Sequence, residues 1–280
     1  MSPPKSIKPS GIISLLTDFG VNDGFAGVVE GVIYRVFPEA RVVHLTHNVP
    51  PHDKMVASMI LASCYKYFPT GTVHCAIVDP NVGGKRDIII VENDKHFFIA
   101  PDNGLLTLVL EKRGIKRIGR LKIKSFLDTP LSNTFHGRDL FAPAAALLSK
   151  GVSLRKLTTP MYRYKKIKFS EPKQTKNYIK GCIIYFDTFG NAITNIKEEH
   201  LRKFRRSNIK VYLNKSPPII LPLKKFFTEV RVGTPLAYIG SYGYLECAIN
   251  NGSFKNVLSA NTDDGILCLR VGAKTNKKLY

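Results

Sequence analysis

Residues Ile12–Thr46, IISLLTDFGVNDGFAGVVEGVIYRVFPEARVVHLT, decide the fold. IISLLTD is a short apolar run, GFAGVVEGVIYRVF is long enough to be a helix, and RVVHLT is strand-like again. The same alternation continues through MVASMILASCYKYF, TVHCAIVD, DIIIVEN, HFFIAPD and LLTLVLEKRG. Short β-branched runs alternating with longer helical ones predict an α/β domain of three layers, a largely parallel sheet covered by helices, over residues 12–160.

The rest of the chain reads differently. After an N-terminal tail (1–11), the α/β domain and a basic, proline-containing linker (161–177), the runs KGCIIYFDTFGNAITNI, IKVYLN, PLAYIGSY, YLECAIN and DGILCLRVG are short strands between Gly, Asn and Asp turns. EEHLRKF is the helix candidate among them. Residues 178–280 are therefore expected to form a smaller all-β domain.

Composition bounds the function. With 280 residues and 44% hydrophobic content the chain can build two cores. No apolar run reaches the roughly 18 residues of a membrane span, and MSPPKSIKPSG places prolines where a signal peptide needs its apolar segment, so a soluble, cytoplasmic protein is expected. The five cysteines are widely spaced without a CxxC pair, which predicts buried free thiols in place of disulfides or a zinc site. The net charge of +21 is concentrated between Lys150 and Lys180, where ten basic residues face one acid, Glu171. That pattern suits a solvated connector; its alternative is a non-catalytic nucleic-acid-binding protein on the same fold, and nucleic acid is not the expected partner.

Common chemistries lack their motifs. There is no GxGxxG after the first strand, no GxxxxGK[ST], no GxSxG and no HExxH. GVVEG, Gly27 to Gly31, reads as a close-packing site within a helix, and His47 and His52 in HNVPPH read as polar loop residues, so no metal is expected. What remains is a set of carboxylates at strand ends. Asp18 closes IISLLT, Asp79 closes the VHCAIV run and Asp102 follows HFFIAP. In open α/β sheets ligands bind beyond the carboxyl ends of the strands, so the three could line one crevice, although aspartate is equally favoured in caps and turns. A second polar cluster, His136-Gly-Arg-Asp139, precedes FAPAAALL, a buried helix with proline in its first turn. A histidine there can act as acid, base or donor at neutral pH.

Six motifs occur in a fixed order: Thr17 to Asp23 (TDFG and a second aspartate), Asp79 to Arg86 (DPNVGGKR), Pro101 to Gly104 (PDNG), Thr134 to Pro143, Asp187 to Ile196 and Ser241 to Gly252. Together they resemble the adenosine-forming S-adenosylmethionine hydrolases, or SAM hydroxide adenosyltransferases, relatives of the fluorinase and chlorinase. The similarity runs from about Ile12 to Gly272. It implies hydrolysis of S-adenosylmethionine to adenosine and methionine without a cofactor, in a homotrimer whose sites lie between the N-domain of one subunit and the C-domain of its neighbour. It assigns Asp79, Arg86 and His136 to catalysis and Asp18 to the ribose hydroxyls. It makes Asp23, Asp187, Asn191 and Ser241 candidates for the methionine end, with Glu246 and Asn250 in the late segment that meets adenine. Halogenating relatives lack the arginine and histidine, so a halogenase is the lesser alternative.

Two positions depart from the family pattern. Asn81 stands where the family has the first glycine of DPGVG, and asparagine tolerates a left-handed backbone. Tyr242 stands beside Ser241 where the fluorinase has an arginine. Read without the family, YGYLECAINNGS is a β-hairpin with an Asn-Gly turn.

Overall fold

The computed structural model describes residues 6–123, 131–202, 209–215 and 217–270; parts of the expected tail (1–5), of the EEHLRKF segment (203–204) and of the C-terminal domain (271–280) lie outside the described residues. The chain divides into two compact units, 1–168 and 169–280, a boundary inside the 161–177 segment.

The first unit contains β1 (Ile12–Thr17), α1 (Phe25–Val36), β2 (Arg41–Thr46), α2 (Lys54–Cys64), β3 (Val73–Ile77), β4 (Ile88–Glu92), β5 (Phe97–Pro101), α3 (Thr107–Leu110), β6 (Arg117–Leu121), α4 (Ala142–Ser149), α5 (Leu154–Leu157) and β7 (Thr158–Pro160). Its sheet has the order β2-β1-β3-β5-β4-β6-β7. The first four neighbours are parallel. The other pairings are antiparallel, which makes the sheet mixed. The reason lies in the connection: only Asn93–His96 join β4 to β5, far too few residues for a parallel crossover. Asn93 closes that turn, its Oδ1 accepting the backbone N–H groups of Lys95 and His96.

The sheet is covered on both faces. Val29 and Ile33 of α1 and the small side chains of α4 bury Ile13, Leu15, Cys75, Ile77, Ile90 and Ile99 on one of them. On the other, α2 touches β1 and α3, and Tyr65 and Phe68 pack edge-on against the His74 ring. Asp53 caps α2, accepting from the N–H groups of Met55 and Val56 at 3.0 and 2.9 Å. Gly27 and Gly31 lie on the exposed side of α1, and a Cβ at either would meet nothing within 4 Å. Among the described residues, the close packing expected of GVVEG is therefore not found.

The second unit contains β8 (Lys173–Gln174), β9 (Tyr178–Phe186), β10 (Ala192–Lys197), α6 (Glu198–Leu201), β11 (Ile209–Leu213), β12 (Ile219–Leu221), β13 (Pro235–Ile239), β14 (Tyr244–Ile249), α7 (Phe254–Val257) and β15 (Gly265–Arg270). The order is β12-β11-β15-β9-β10-β14-β13, with β8 on β9, and every named strand pairing is antiparallel. Leu223, just past β12, bridges to Ala237 of β13, so the path curls back on itself around Ile183, Ile196, Val211, Leu245 and Phe254. The Asn251-Gly252 turn does not join two strands as a hairpin. Asn251 takes a left-handed backbone (φ 57°), and the chain enters α7, which is capped by the Ser253 hydroxyl.

Candidate active site

The strand order reverses at β1: the chain passes from β1 to β2 on one side and then to β3 on the other. Such a switch point leaves a crevice beyond the carboxyl ends of the two inner strands. Asp18 follows β1, and Asp79 lies two residues past β3. Both line a pocket of about 290 Å³, together with Phe19, Phe25, His52, Phe135 and His136. Asp102, at the end of β5, is not part of it. Its side chain accepts the backbone N–H of Lys165 at 2.8 Å, and burial pushes its carboxyl up.

Asp79 and Arg86 are joined by a folded turn, not an extended loop. The Asp79 carbonyl accepts from Val82 N–H, the Asn81 carbonyl from Gly84 N–H and the Gly84 carbonyl from Arg86 N–H. The left-handed residue of this turn is Gly83 (φ 77°), whereas Asn81 is exposed and has no positive φ. Asparagine at position 81 therefore makes no conformational demand here, and the expected use of its left-handed tolerance is not needed. A Cβ on Gly83 would come within 2.0 Å of the Asn133 carbonyl oxygen, so this glycine also brings the turn against the segment leading to His136.

Arg86 sits behind the pocket and ties the site together. Its Nε and Nη2 both donate to Asp79 Oδ2, at 2.8 and 2.5 Å, and Nη2 also donates to His136 Nδ1 at 2.8 Å. The Arg86 and Asp79 side chains are only 3% and 5% exposed. Because a guanidinium only donates, His136 Nδ1 must be an acceptor, and the neutral ring then carries its proton on Nε2. Burial, then Arg86, lower the His136 pKa from its ordinary 6.5, so the ring is neutral at pH 7. A hydrogen bond with the Ser132 backbone engages the ring as well. One acceptor is left: Asp79 Oδ1 is buried and has no partner among the described residues. A buried carboxylate oxygen without a donor is costly, and a polar ligand or water between it and the pocket would satisfy it.

Three residues carry an apolar wall that sequence reading missed. Phe19, Phe25 and Phe135 meet edge to face, with centroids 5.3 to 6.2 Å apart. Phe19 and Phe135 stand inside the TDFG and TFHGRD motifs and Phe25 opens α1, but only the fold brings the three rings together. Aromatic faces attract cations, which suits a sulfonium as well as an apolar base. His52 was also missed as a site residue: it holds a left-handed backbone (φ 65°), and its N–H donates to Asp18 Oδ2 at 2.9 Å. Asp23 is exposed and does not line the pocket. A larger cavity of about 690 Å³, lined by Lys116, Arg117, Lys122, Arg155 and Tyr162 among others, has no carboxylate among its lining residues. It offers no carboxylate to take both ribose hydroxyls or to balance a cation.

In the second unit four of the expected residues or their neighbours form one cluster. Asp187 Oδ1 accepts the N–H groups of Phe189 and Asn191, and its Oδ2 accepts Asn191 Nδ2 at 2.9 Å. Glu246 is buried and accepts the Tyr238 hydroxyl at 2.6 Å. Burial raises its pKa, and the nearby Asp187 charge raises it further against that hydrogen bond. Tyr238 was not singled out in the sequence. Ser241 is exposed in the turn after β13. Asn250 is used structurally, its Nδ2 donating to the Val230 carbonyl at 2.8 Å. Among the described residues no group of three or more His, Cys, Asp or Glu has the arrangement to hold a metal ion.

Comparison with known proteins supplies the family. Residues 13–158 match the SAM hydroxide adenosyltransferase N-terminal domain, and residues 181–267 match the corresponding C-terminal domain. A (R)-S-adenosyl-L-methionine hydrolase of Thermus thermophilus is 34% identical over 88% of this chain and 94% of that protein. One of Methanocaldococcus jannaschii is 36% identical over 68% of each chain. The crystal structure of an uncharacterized conserved protein from Thermotoga maritima, 34% identical, superposes with a TM-score of 0.85 over 92% of this chain and 100% of that one. Both domain models in order, both folds and the relatives' identity lead to one conclusion: the chain belongs to the SAM hydroxide adenosyltransferase family.

Proposed function

We propose that this protein hydrolyses S-adenosyl-L-methionine to adenosine and L-methionine. The observation that carries the reading is the buried Asp79 Oδ1, without a partner among the described residues, beside the Arg86–His136 pair, with Asp79 and His136 both lining a strand-end crevice. A water held by Asp79 Oδ1 is the nucleophile at the ribose 5′ carbon. As the C–O bond forms, its proton passes toward that oxygen, while the C–S bond breaks and its electron pair stays on sulfur. Methionine leaves as a neutral thioether, so neither a general acid nor a Lewis acid is required. Arg86 cannot serve as the base; it fixes the Asp79 carboxylate and balances charge as the transition state forms. His136 accepts from Arg86 and keeps the guanidinium in place.

Asp18 accepts the ribose hydroxyls, and the three phenylalanines line the adenosine side. In this reading the methionine and adenine ends are met by Asp187, Asn191, Ser241, Glu246 and Asn250 of a neighbouring subunit in a homotrimer, with Asp23 toward the methionine ammonium. The buried thiols of Cys75, Cys247 and Cys268 suit a reducing compartment such as the cytoplasm. No helix among the described residues is long and apolar enough to cross a membrane. The test is incubation with S-adenosylmethionine in heavy-oxygen water, followed by mass spectrometry of adenosine. Label at the 5′ hydroxyl is expected; intact substrate after long incubation ends the proposal.

A further inference from the structure

Four polar side chains form an unbroken line from the surface to the start of the TDFG turn. Glu30 Oε2 on α1 lies 3.2 Å from His44 Nε2 on β2, His44 Nδ1 lies 2.7 Å from His47 Nε2, and His47 Nδ1 lies 2.8 Å from Thr17 Oγ1. Thr17 Oγ1 in turn accepts the backbone N–H of Phe19 at 3.2 Å. The line runs from a His44 side chain 41% exposed, through His47 at 7%, to Thr17 at 0%. Asp18 is the residue between the two ends of the last bond. The same His47 accepts Gly20 N–H through its carbonyl, so ring and backbone both hold the turn.

The chemistry allows one direction when both rings are neutral. The Glu30 carboxylate can only accept, so His44 carries its proton on Nε2 and accepts at Nδ1; His47 then donates from Nε2 and accepts at Nδ1 from the Thr17 hydroxyl. A proton added to His44 reverses every bond further in. His44 Nδ1 becomes a donor, His47 must accept at Nε2 and donate from Nδ1, and Thr17 changes from donor to acceptor. Its hydroxyl proton must then find a new acceptor in a fully buried position, where Phe19 N–H already occupies the oxygen. The rearrangement falls on the turn that carries Asp18.

We propose that Glu30, His44 and His47 are positioning residues that hold the Asp18 carboxylate for ribose hydroxyls, and that protonation at the surface end loosens this hold. The proposal rests on the reading of Asp18 as the ribose acceptor. Other titratable groups in contact with the line are Tyr34, which hydrogen-bonds Glu30, and, at the inner end, Asp18 with its neighbour His52. Burial lowers the His47 pKa, in keeping with a neutral inner ring.

The test is adenosine affinity by titration calorimetry between about pH 8 and about pH 5.5, with KM and kcat for S-adenosylmethionine alongside. Wild-type adenosine affinity should fall about tenfold toward acid, carried in KM more than in kcat. His44→Asn keeps an acceptor for His47 but takes no proton; it should hold the alkaline affinity within about threefold and flatten the acid fall. His44→Phe removes the acceptor and should weaken binding at every pH by about tenfold. An acid fall in His44→Asn equal to that of the wild type overturns the proposal, as does a wild-type affinity that ignores pH. Nitrogen-15 spectra of the histidine rings test the line without any ligand: both rings should be Nε2–H tautomers at about pH 8, and an Nδ1–H tautomer at either overturns it. Adenosine binding needs no turnover, so a protein that shows these effects yet leaves S-adenosylmethionine intact refutes the hydrolase reading and keeps this one.

Discussion

At Asp79 the two carboxylate oxygens have different neighbours. Oδ2 takes both bonds from Arg86, and Oδ1 has none among the described residues. Removing the negative charge while keeping the shape is therefore the sharpest probe: Asp79→Asn should lower kcat by about 100-fold or more and change adenosine affinity by less than about threefold. His136→Ala and Arg86→Ala should likewise slow turnover far more than they raise KM; equal loss in both would reassign them to binding. His136 adds a pH signature. Its pKa in the folded protein is below the ordinary 6.5, so the neutral, active ring persists above that range and kcat falls as pH drops through the lowered value. Gly83→Ala should destabilise the protein by about 2 kcal/mol, read by urea denaturation, and impair kcat with it. The new Cβ would press on the Asn133 carbonyl from a left-handed backbone. Asp79, Arg86 and His136 were legible because each stands in a local motif. His52 and the phenylalanine wall were not, since His52 meets Asp18, and Phe135 meets Phe19 and Phe25, across long stretches of chain.

At the scale of elements, β3 and the turn between β4 and β5 carry a burden the sequence did not advertise. His74 is fully buried in TVHCAIVD, its Nδ1 2.7 Å from Ser14 Oγ, and its Nε2 lies 3.4 Å from His96 Nδ1. Burial, then the neighbouring ring, push His74 down to about 3; burial, then Lys95, push His96 to about 4. Both are depressed, so the folded state binds fewer protons than the unfolded chain below about pH 6.5. Stability should be level above that pH and then fall toward pH 4 by up to about 1.4 kcal/mol per pH unit for each ring. Urea titrations at several pH values measure this slope, and His96→Phe should reduce it by up to about 1.4 kcal/mol per pH unit; an unchanged slope would place the acid sensitivity elsewhere. Element identity was otherwise readable: the runs from IISLLTD to HFFIAPD, and the β strands after residue 178, lie where hydrophobic period put them. Short pieces such as β7, β12 and α5 were not, because three or four residues carry too little pattern. Nor did the pattern show that β4 runs against β5; the four-residue connection did.

For the whole molecule, charge and assembly matter most. The chain carries +21, and the proposed substrate is a cation. Long-range repulsion should weaken as salt rises, while the carboxylates at the site act within a Debye length of about 8 Å. KM should therefore fall or stay flat with added salt, and a steep rise would contradict a cationic substrate. If the sites of a trimer draw on two subunits, Asp79→Asn and Asp187→Ala chains, each inactive alone, should regain part of the turnover when refolded together; no recovery would confine the site to one chain. Taken by itself, the sequence determined the two-part α/β and all-β plan, because hydrophobic period and turn residues are local properties of the chain. It also determined which aspartate, arginine and histidine to watch. Only tertiary structure decided which oxygen of Asp79 lacks a donor among the described residues, that Gly83 and not Asn81 holds the turn, and that Glu30, His44 and His47 line up behind Asp18. Two of these depend on side chains from separate strands and loops meeting in space, and Gly83 on the close approach of its backbone to Asn133; no local pattern encodes such a meeting.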